Sequence, residues 1–154
     1  MQVSLNGDVV SNRVLNDALF CHQSPAATSR YILELDEVIE EQKSSGLWIG
    51  PAAGSTAAQR SAGGKVLPLT SKSIQLVVRE PYTPTGRPYQ LNRAIIKKDQ
   101  QLQIRSKSRK MRMFLDGPDR VIRVDVGDRL QFCRSPEPLK LLALHANRRT
   151  ELGA

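Results

Sequence analysis

The sequence predicts a mainly β domain carrying one short helix, and three observations lead there. From Leu91 onward, short runs with apolar residues at every second position follow one another, the pattern of strands buried on one face. Asn-Gly and Asp-Gly pairs, which accept the positive φ of tight turns, stand between runs of this kind. One segment, Leu47 to Lys65 (LWIGPAAGSTAAQRSAGGK), leaves the alternation and concentrates glycine and alanine.

Taken in chain order, Gln2 to Leu5 and Asp8 to Val10 flank Asn6-Gly7 and predict a hairpin with a type I′ turn. Arg13 to Phe20 and Tyr31 to Leu35 read as strands joined by the polar, proline-containing linker HQSPAATSR. The pairs Asp36-Glu37 and Glu40-Glu41 read as a solvated face, with nothing apolar beside them to raise a carboxyl pKa. In the small-residue segment, Thr56 and Gln59 have capping-box spacing, the alanines favour helix, and Gly63-Gly64 supplies a stop. Trp48 is expected in the core. Ile74 to Glu80, closed by Pro81, reads as a buried strand, and YTPTGRP as a loop. QLQIR, KMRMFL, VIRVDV, RLQFC and LKLLAL follow as strands, with Asp116-Gly117 and Gly127-Asp128 as turns. Ile122, Val124 and Val126 are expected on one face, opposite Arg123 and Asp125.

With 154 residues, 40% hydrophobic and 25% charged, the composition suits one soluble domain over residues 1–154. No apolar run approaches the roughly 20 residues that cross a bilayer, and MQVSLNGDVV lacks the basic start and apolar stretch of a signal peptide. A cytoplasmic protein with no membrane partner is the expectation. Cys21 and Cys133 show no CxxC or Cys/His spacing and read as buried free thiols. A formal charge of +8 and a pI near 9.9 favour an anionic partner: nucleic acid, nucleotide or polyphosphate.

A glycine-rich turn leading into a helix is a general anion site, so a phosphate loop is the first pattern to test. It fails: Gly64-Lys65 is followed by Val66, and Gln59 stands where the Walker pattern needs glycine. No GxGxxG occurs. Ser55 lacks a GxSxG elbow, and no motif ties His22 or His145 to it. No catalytic residue and no metal ligand is therefore assigned in this chain. The basic run KKDQQLQIRSKSRKMRM would suit phosphate contacts, but Phe114 is its one aromatic neighbour. A stacking platform for single-stranded nucleic acid is not expected, and exposed lysines also keep strand edges from pairing.

Two segments point to a family. Val14 to Phe20 (VLNDALF) resembles the leucine, asparagine, acidic-residue motif of NAD kinases, and about 40 residues later Gly54-Ser55-Thr56-Ala57 resembles their TGSTAY segment. The intervening HQSPAATSRYILEL is similar to the family's linker and strand, and GDRLQFCRSPEPLKLL to its closing segment. Four matches in the family's order span nearly the whole chain.

The resemblance implies that this chain is the C-terminal, β-sandwich-like domain of the NAD kinase fold, with one short helix after GSTA. In the family, nucleotide substrates bind between this domain and an N-terminal α/β domain. It implies that Asn16 and Asp17 hold NAD through its ribose, and that Gly54, Ser55, Thr56, Ala57 and Ser61 form the ring-binding wall. Ser45 falls where the family has the acid of a Gly-Asp-Gly; here the segment reads Ser44-Ser45-Gly46, a serine version found in a mitochondrial-type branch. Ala58 replaces the tyrosine after GSTA. The catalytic aspartate of the family belongs to a GGDG motif in the N-terminal domain, and no GGDG occurs in these residues. The implied reaction is transfer of phosphate from ATP or polyphosphate, with a divalent metal, to the adenosine ribose 2′-hydroxyl of NAD. Little activity is expected of the isolated chain. The resemblance also implies a homo-oligomer built through the β domain. The rival readings are a non-catalytic nucleotide-sensing or oligomerisation domain and a basic nucleic-acid-binding β protein.

Overall fold

Asn6 and Gly7 take φ values of 52° and 95°, the two left-handed positions a type I′ turn requires, and Leu5 faces Asp8 across the turn. The chain therefore opens with a tight hairpin, β1 (Gln2–Leu5) and β2 (Asp8–Ser11). The computed structural model describes residues 1–83, 86 and 88–140. Within them the strands continue as β3 (Ala18–His22), β4 (Ser29–Leu35), β5 (Val38–Ser44), β6 (Gly46–Pro51) and β7 (Ile74–Arg79). Then come β8 (Arg93–Ile96), β9 (Leu102–Ser106), β10 (Met111–Leu115), β11 (Val121–Val124) and β12 (Arg129–Cys133). Between β6 and β7 lie a 3-10 turn, Ala52–Thr56, and one short helix, α1 (Ala58–Ser61).

The strands form two antiparallel six-stranded sheets, in the orders β2-β1-β12-β9-β4-β5 and β11-β10-β3-β6-β7-β8. The expected mainly β, sandwich-like fold with one short helix after GSTA is the fold observed. Alternation explains why the sheets stack: Tyr31, Leu33 and Leu35 of β4, and Leu102 and Ile104 of β9, point inward. Phe20, Leu47, Ile49, Leu76, Met111 and Met113 answer from the second sheet. Phe20 and Tyr31 meet edge to face across the layers, ring centroids 6.0 Å apart. The Tyr31 hydroxyl bonds Ser44 Oγ at 2.6 Å, which satisfies its polar end inside the core, while burial pushes its pKa up.

Several expectations change. Arg13 to Asp17 is a loop rather than the start of a strand, because three of its N–H groups go to a side-chain carboxylate. The acidic run is itself a strand, β5, folded back on β4, and Glu40 is not solvated idly: its carboxylate accepts the Gln90 and Leu91 N–H groups at 2.8 Å each. Thr56 makes no cap; the residue before α1 is Ala57, and Gln59 turns inward instead. Trp48 is half-buried on the outer face of β6, since its neighbours Leu47 and Ile49 take the core side. Val124 is buried but Val126 is exposed beyond the end of β11. Cys21 and Cys133 are free, as expected, yet half-buried rather than buried. The LKLLAL run and His145 fall largely outside the described residues.

Phe132, fully enclosed on β12, is a single large side chain in this core. Phe132→Ala is expected to cost about 3–5 kcal/mol of unfolding free energy, read as a lower denaturant midpoint with an unchanged slope.

Candidate functional site

Two glycines bring distant parts of the chain together. A Cβ on Gly54 would lie 1.6 Å from the Asn16 carbonyl oxygen and 2.9 Å from Asn16 Cα. A Cβ on Gly50 would lie 2.5 Å from the same oxygen and 3.2 Å from Asp17 Cα. Backbone therefore rests on backbone, and a side chain at Gly54 would collide with main chain that has nowhere to go.

The loop that seats there is shaped by Asp116. Its carboxylate accepts N–H groups from Leu15 at 2.9 Å, Asn16 at 2.6 Å and Asp17 at 3.3 Å. The Asp116 N–H donates back to the Asp17 carbonyl at 2.9 Å. Asp116 and Gly117 take φ values of 52° and 120°, which aims the carboxylate back along β10 at the neighbouring loop. A side-chain anion thus supplies what a strand partner would otherwise provide.

The sequence-predicted residues do not share one setting. Asn16 is exposed and Asp17 half-buried at the head of β3. Thr56, Ala57 and Ser61 are exposed along the turn and α1. Gly54 joins the two segments directly. Ser55 is different: fully buried, its hydroxyl donates to the Ala52 carbonyl at 2.7 Å and accepts the Leu67 N–H at 2.9 Å, so it braces the turn. Ser45 stands apart. Its N–H bonds the Arg79 carbonyl at 3.1 Å at the start of β6, whereas Ala18 pairs with Ile49 near its other end. It lines a separate cavity of about 570 Å³ with Leu19, Cys21, His22, Arg79 and Phe114.

Burial, and next the like charge of Asp116, push the Asp17 carboxyl pKa up. Beside the seated loop, Val14, Leu15 and Pro51 to Ala53 line a cavity of about 410 Å³ that also holds the side-chain cations Lys72 and Arg134. Among the described residues its acid is Glu137, bound to Arg13 at 2.7 Å. Among the described residues no three His, Cys, Asp or Glu side chains gather where a metal would sit.

Sequence reasoning missed Asp116, Gly50 and Gln59. Asp116-Gly117 read as a turn and nothing more; Gln59 carried a cap signal whose true partner lies 43 residues upstream.

These observations define a class: a β-sandwich domain whose side-chain-poor turn and adjoining polar loop form one solvent-facing surface. The chain belongs to the ATP-NAD kinase C-terminal domain family, whose model matches residues 15–144. It is 31% identical over 148 residues to a probable NADH kinase of Oryza sativa subsp. japonica, covering 92% of this chain and 46% of that protein. It is 30% identical to an NAD kinase of Methanocorpusculum labreanum, covering 90% of this chain and 49% of that one. The chain thus spans about half the length of these curated relatives. Yeast NADH kinase complexed with NADH shares the fold with a TM-score of 0.73 at 16% identity, over 91% of this chain and 41% of its own. An Archaeoglobus fulgidus NAD kinase in complex with ATP does so with a TM-score of 0.67 at 22% identity, over 88% and 50%.

Gly54→Ala is expected to destabilise the chain by about 2 kcal/mol or more, because the loop must lift off the turn, read by chemical unfolding. A second expectation concerns pH. A carboxyl whose folded pKa is raised binds more protons folded than unfolded, so its stabilising share is present at low pH. It is lost as pH rises from about 4, the ordinary carboxylate value, through the folded pKa. Asp17→Asn should remove that loss and leave the chain at least as stable at neutral pH, measured by melting temperature across pH 3 to 8.

Proposed function

We propose that this chain is the substrate-binding portion of an NAD kinase, which transfers phosphate from ATP or polyphosphate to the adenosine ribose 2′-hydroxyl of NAD. The observation that carries the proposal is the seating of Asn16 and Asp17 on Gly54. The two family motifs, 38 residues apart in sequence, share one surface on which Asn16, Thr56 and Ala57 are exposed and Asp17 is half-buried.

In this reading the Asp17 carboxylate accepts hydrogen bonds from paired ribose hydroxyls, and the Asn16 amide donates and accepts beside it. Thr56, Ala57 and Ser61 line the flat ring's approach, and Gly54 and Ser55 set the turn's shape. Ser45 joins only through a more distant part of an extended dinucleotide, and the geometry supports its role least. Lys72 and Arg134 in the adjoining cavity suit the phosphates of the dinucleotide or donor, since no carboxylate of the described residues pairs with either.

The general base would come from the GGDG aspartate of an N-terminal domain, drawing the proton from the 2′-hydroxyl as it attacks the terminal phosphoryl group. The described residues do not fit a divalent ion, which would be held by the donor's phosphates and by residues outside this chain. Assembly through the second sheet has a surface to use, with Leu19, Trp48 and Phe114 half-buried on its outer face. Two free cysteines fit a reducing, cytoplasmic setting.

The test is NADP formation by this chain joined to a GGDG-bearing N-terminal domain. The joined protein is expected to be active. Asp17→Asn should weaken NAD binding roughly 10- to 100-fold, the worth of hydrogen bonds to a charged group. An inactive joined protein that also fails to bind NAD or NADH would refute the proposal.

A further inference from the structure

Gln59 and Gln75 are the pair of buried side-chain amides behind the site, 0% and 2% exposed. Their side chains reach the Asn16 loop, the Lys65 backbone and each other. Gln59 Nε2 donates to the Asn16 carbonyl at 3.4 Å, and Gln59 Oε1 accepts from Gln75 Nε2 at 3.2 Å. Gln75 Nε2 also donates to the Lys65 carbonyl at 3.2 Å, and Gln75 Oε1 accepts the Lys65 N–H at 2.6 Å. The Gln59 carbonyl accepts the Gly64 N–H at 2.8 Å.

The relay fills a slot that has room for nothing else. A Cβ on Gly50 would stand 2.2 Å from Gln59 Nε2, and a Cβ on Gly64 would stand 2.8 Å from Gln75 Nε2. The Asn16 carbonyl is thus gripped between two glycines and one amide donor. Asp116 holds the N–H side of the same loop, so the two faces of one peptide segment are fixed by different groups. A helix residue that only anchored α1 would need no donor aimed at the neighbouring loop.

We infer that Gln59 is a positioning residue: braced by Gln75, it fixes the Asn16 carbonyl and thereby the direction in which the Asn16 and Asp17 side chains meet a bound dinucleotide. This rests on the reading of the site given above. An apolar side chain of the same length would keep the packing and lose the grip. The loop would then be held on its N–H side alone, and its side chains would sample directions that do not bind.

The test uses Gln59→Met, which preserves length and removes the donor. In the ligand-free chain the Asn16 13C′ and Asp17 amide resonances should shift while the melting temperature changes little. NADH affinity should fall about tenfold, the order of one buried hydrogen bond. Combined with Asn16→Ala, which keeps the gripped carbonyl and removes the side chain that the grip orients, the loss should be smaller than the product of the two single losses. Unmoved Asn16 and Asp17 resonances, or losses that multiply in full, would overturn the inference. If the chain joined to a GGDG-bearing N-terminal domain binds neither NAD nor NADH, the functional reading falls, and the resonance shifts alone decide the positioning role. Should Gln59→Met fail to fold, the wild-type chain must show a nuclear Overhauser contact between the Gln59 amide protons and Asn16, and its absence would overturn the inference.

Discussion

The contact on which the rest of this structure depends is between two stretches of bare backbone, the Asn16 peptide and Gly54. No side chain mediates it, so it cannot be adjusted by a rotamer change, and it fixes the separation of the two motifs to the thickness of a main chain. Everything nearby follows from protecting that approach. Asp116 turns the loop's N–H groups away from a strand partner, Gly50 keeps the adjoining strand clear, and Ser55 ties the turn to Ala52 and Leu67 so that Gly54 cannot drift.

The sandwich makes this approach possible without taking part in it. The inner faces of both sheets are committed to the core, where Phe20, Tyr31 and Phe132 lock the layers. The loop and turn lie where β3 begins and β6 ends, neighbours in the sheet by direct pairing of Ala18 with Ile49. A rigid scaffold thus carries an irregular, polar surface at one end of two adjacent strands, which is where ligand-binding loops are commonly held. Local strain is concentrated in turns, at Asn6, Asp36, Glu80, Lys110 and Asp116, all with positive φ, and of these Asp116 belongs to the site.

The fold was legible because period-two alternation is a local signal: in QLQIR, Leu102 and Ile104 declare the core face and Gln103 and Arg105 the other without reference to any partner. The turn at Asn6-Gly7 was legible for the same reason. What escaped was long-range. β5 puts Ile39, Glu41 and Lys43 on its outer face and Val38, Glu40, Gln42 and Ser44 on the other, so charged and apolar residues occur on both and its pattern did not separate it from a solvated loop; its identity comes from pairing with β4. Gln59 showed a helix-cap spacing, and the spacing was real but the partner was not, because a buried amide with Asn16 and Gln75 in reach has better use than an exposed Thr56. Asn16 and Asp17 were found through family likeness; the residues that hold them, Asp116 and Gln59, lie 100 and 43 positions away and leave no local trace.

The central claim is that one surface, made of the Asn16-Asp17 loop and the GSTA turn, receives the dinucleotide. It is tested most directly by titrating the 15N-labelled chain with NADH and following its amide resonances. Saturable shifts should appear together at Asn16, Asp17, Thr56 and Ala57, with one dissociation constant. Shifts confined to the basic stretch Lys97 to Arg112, or none at saturating nucleotide, would contradict it.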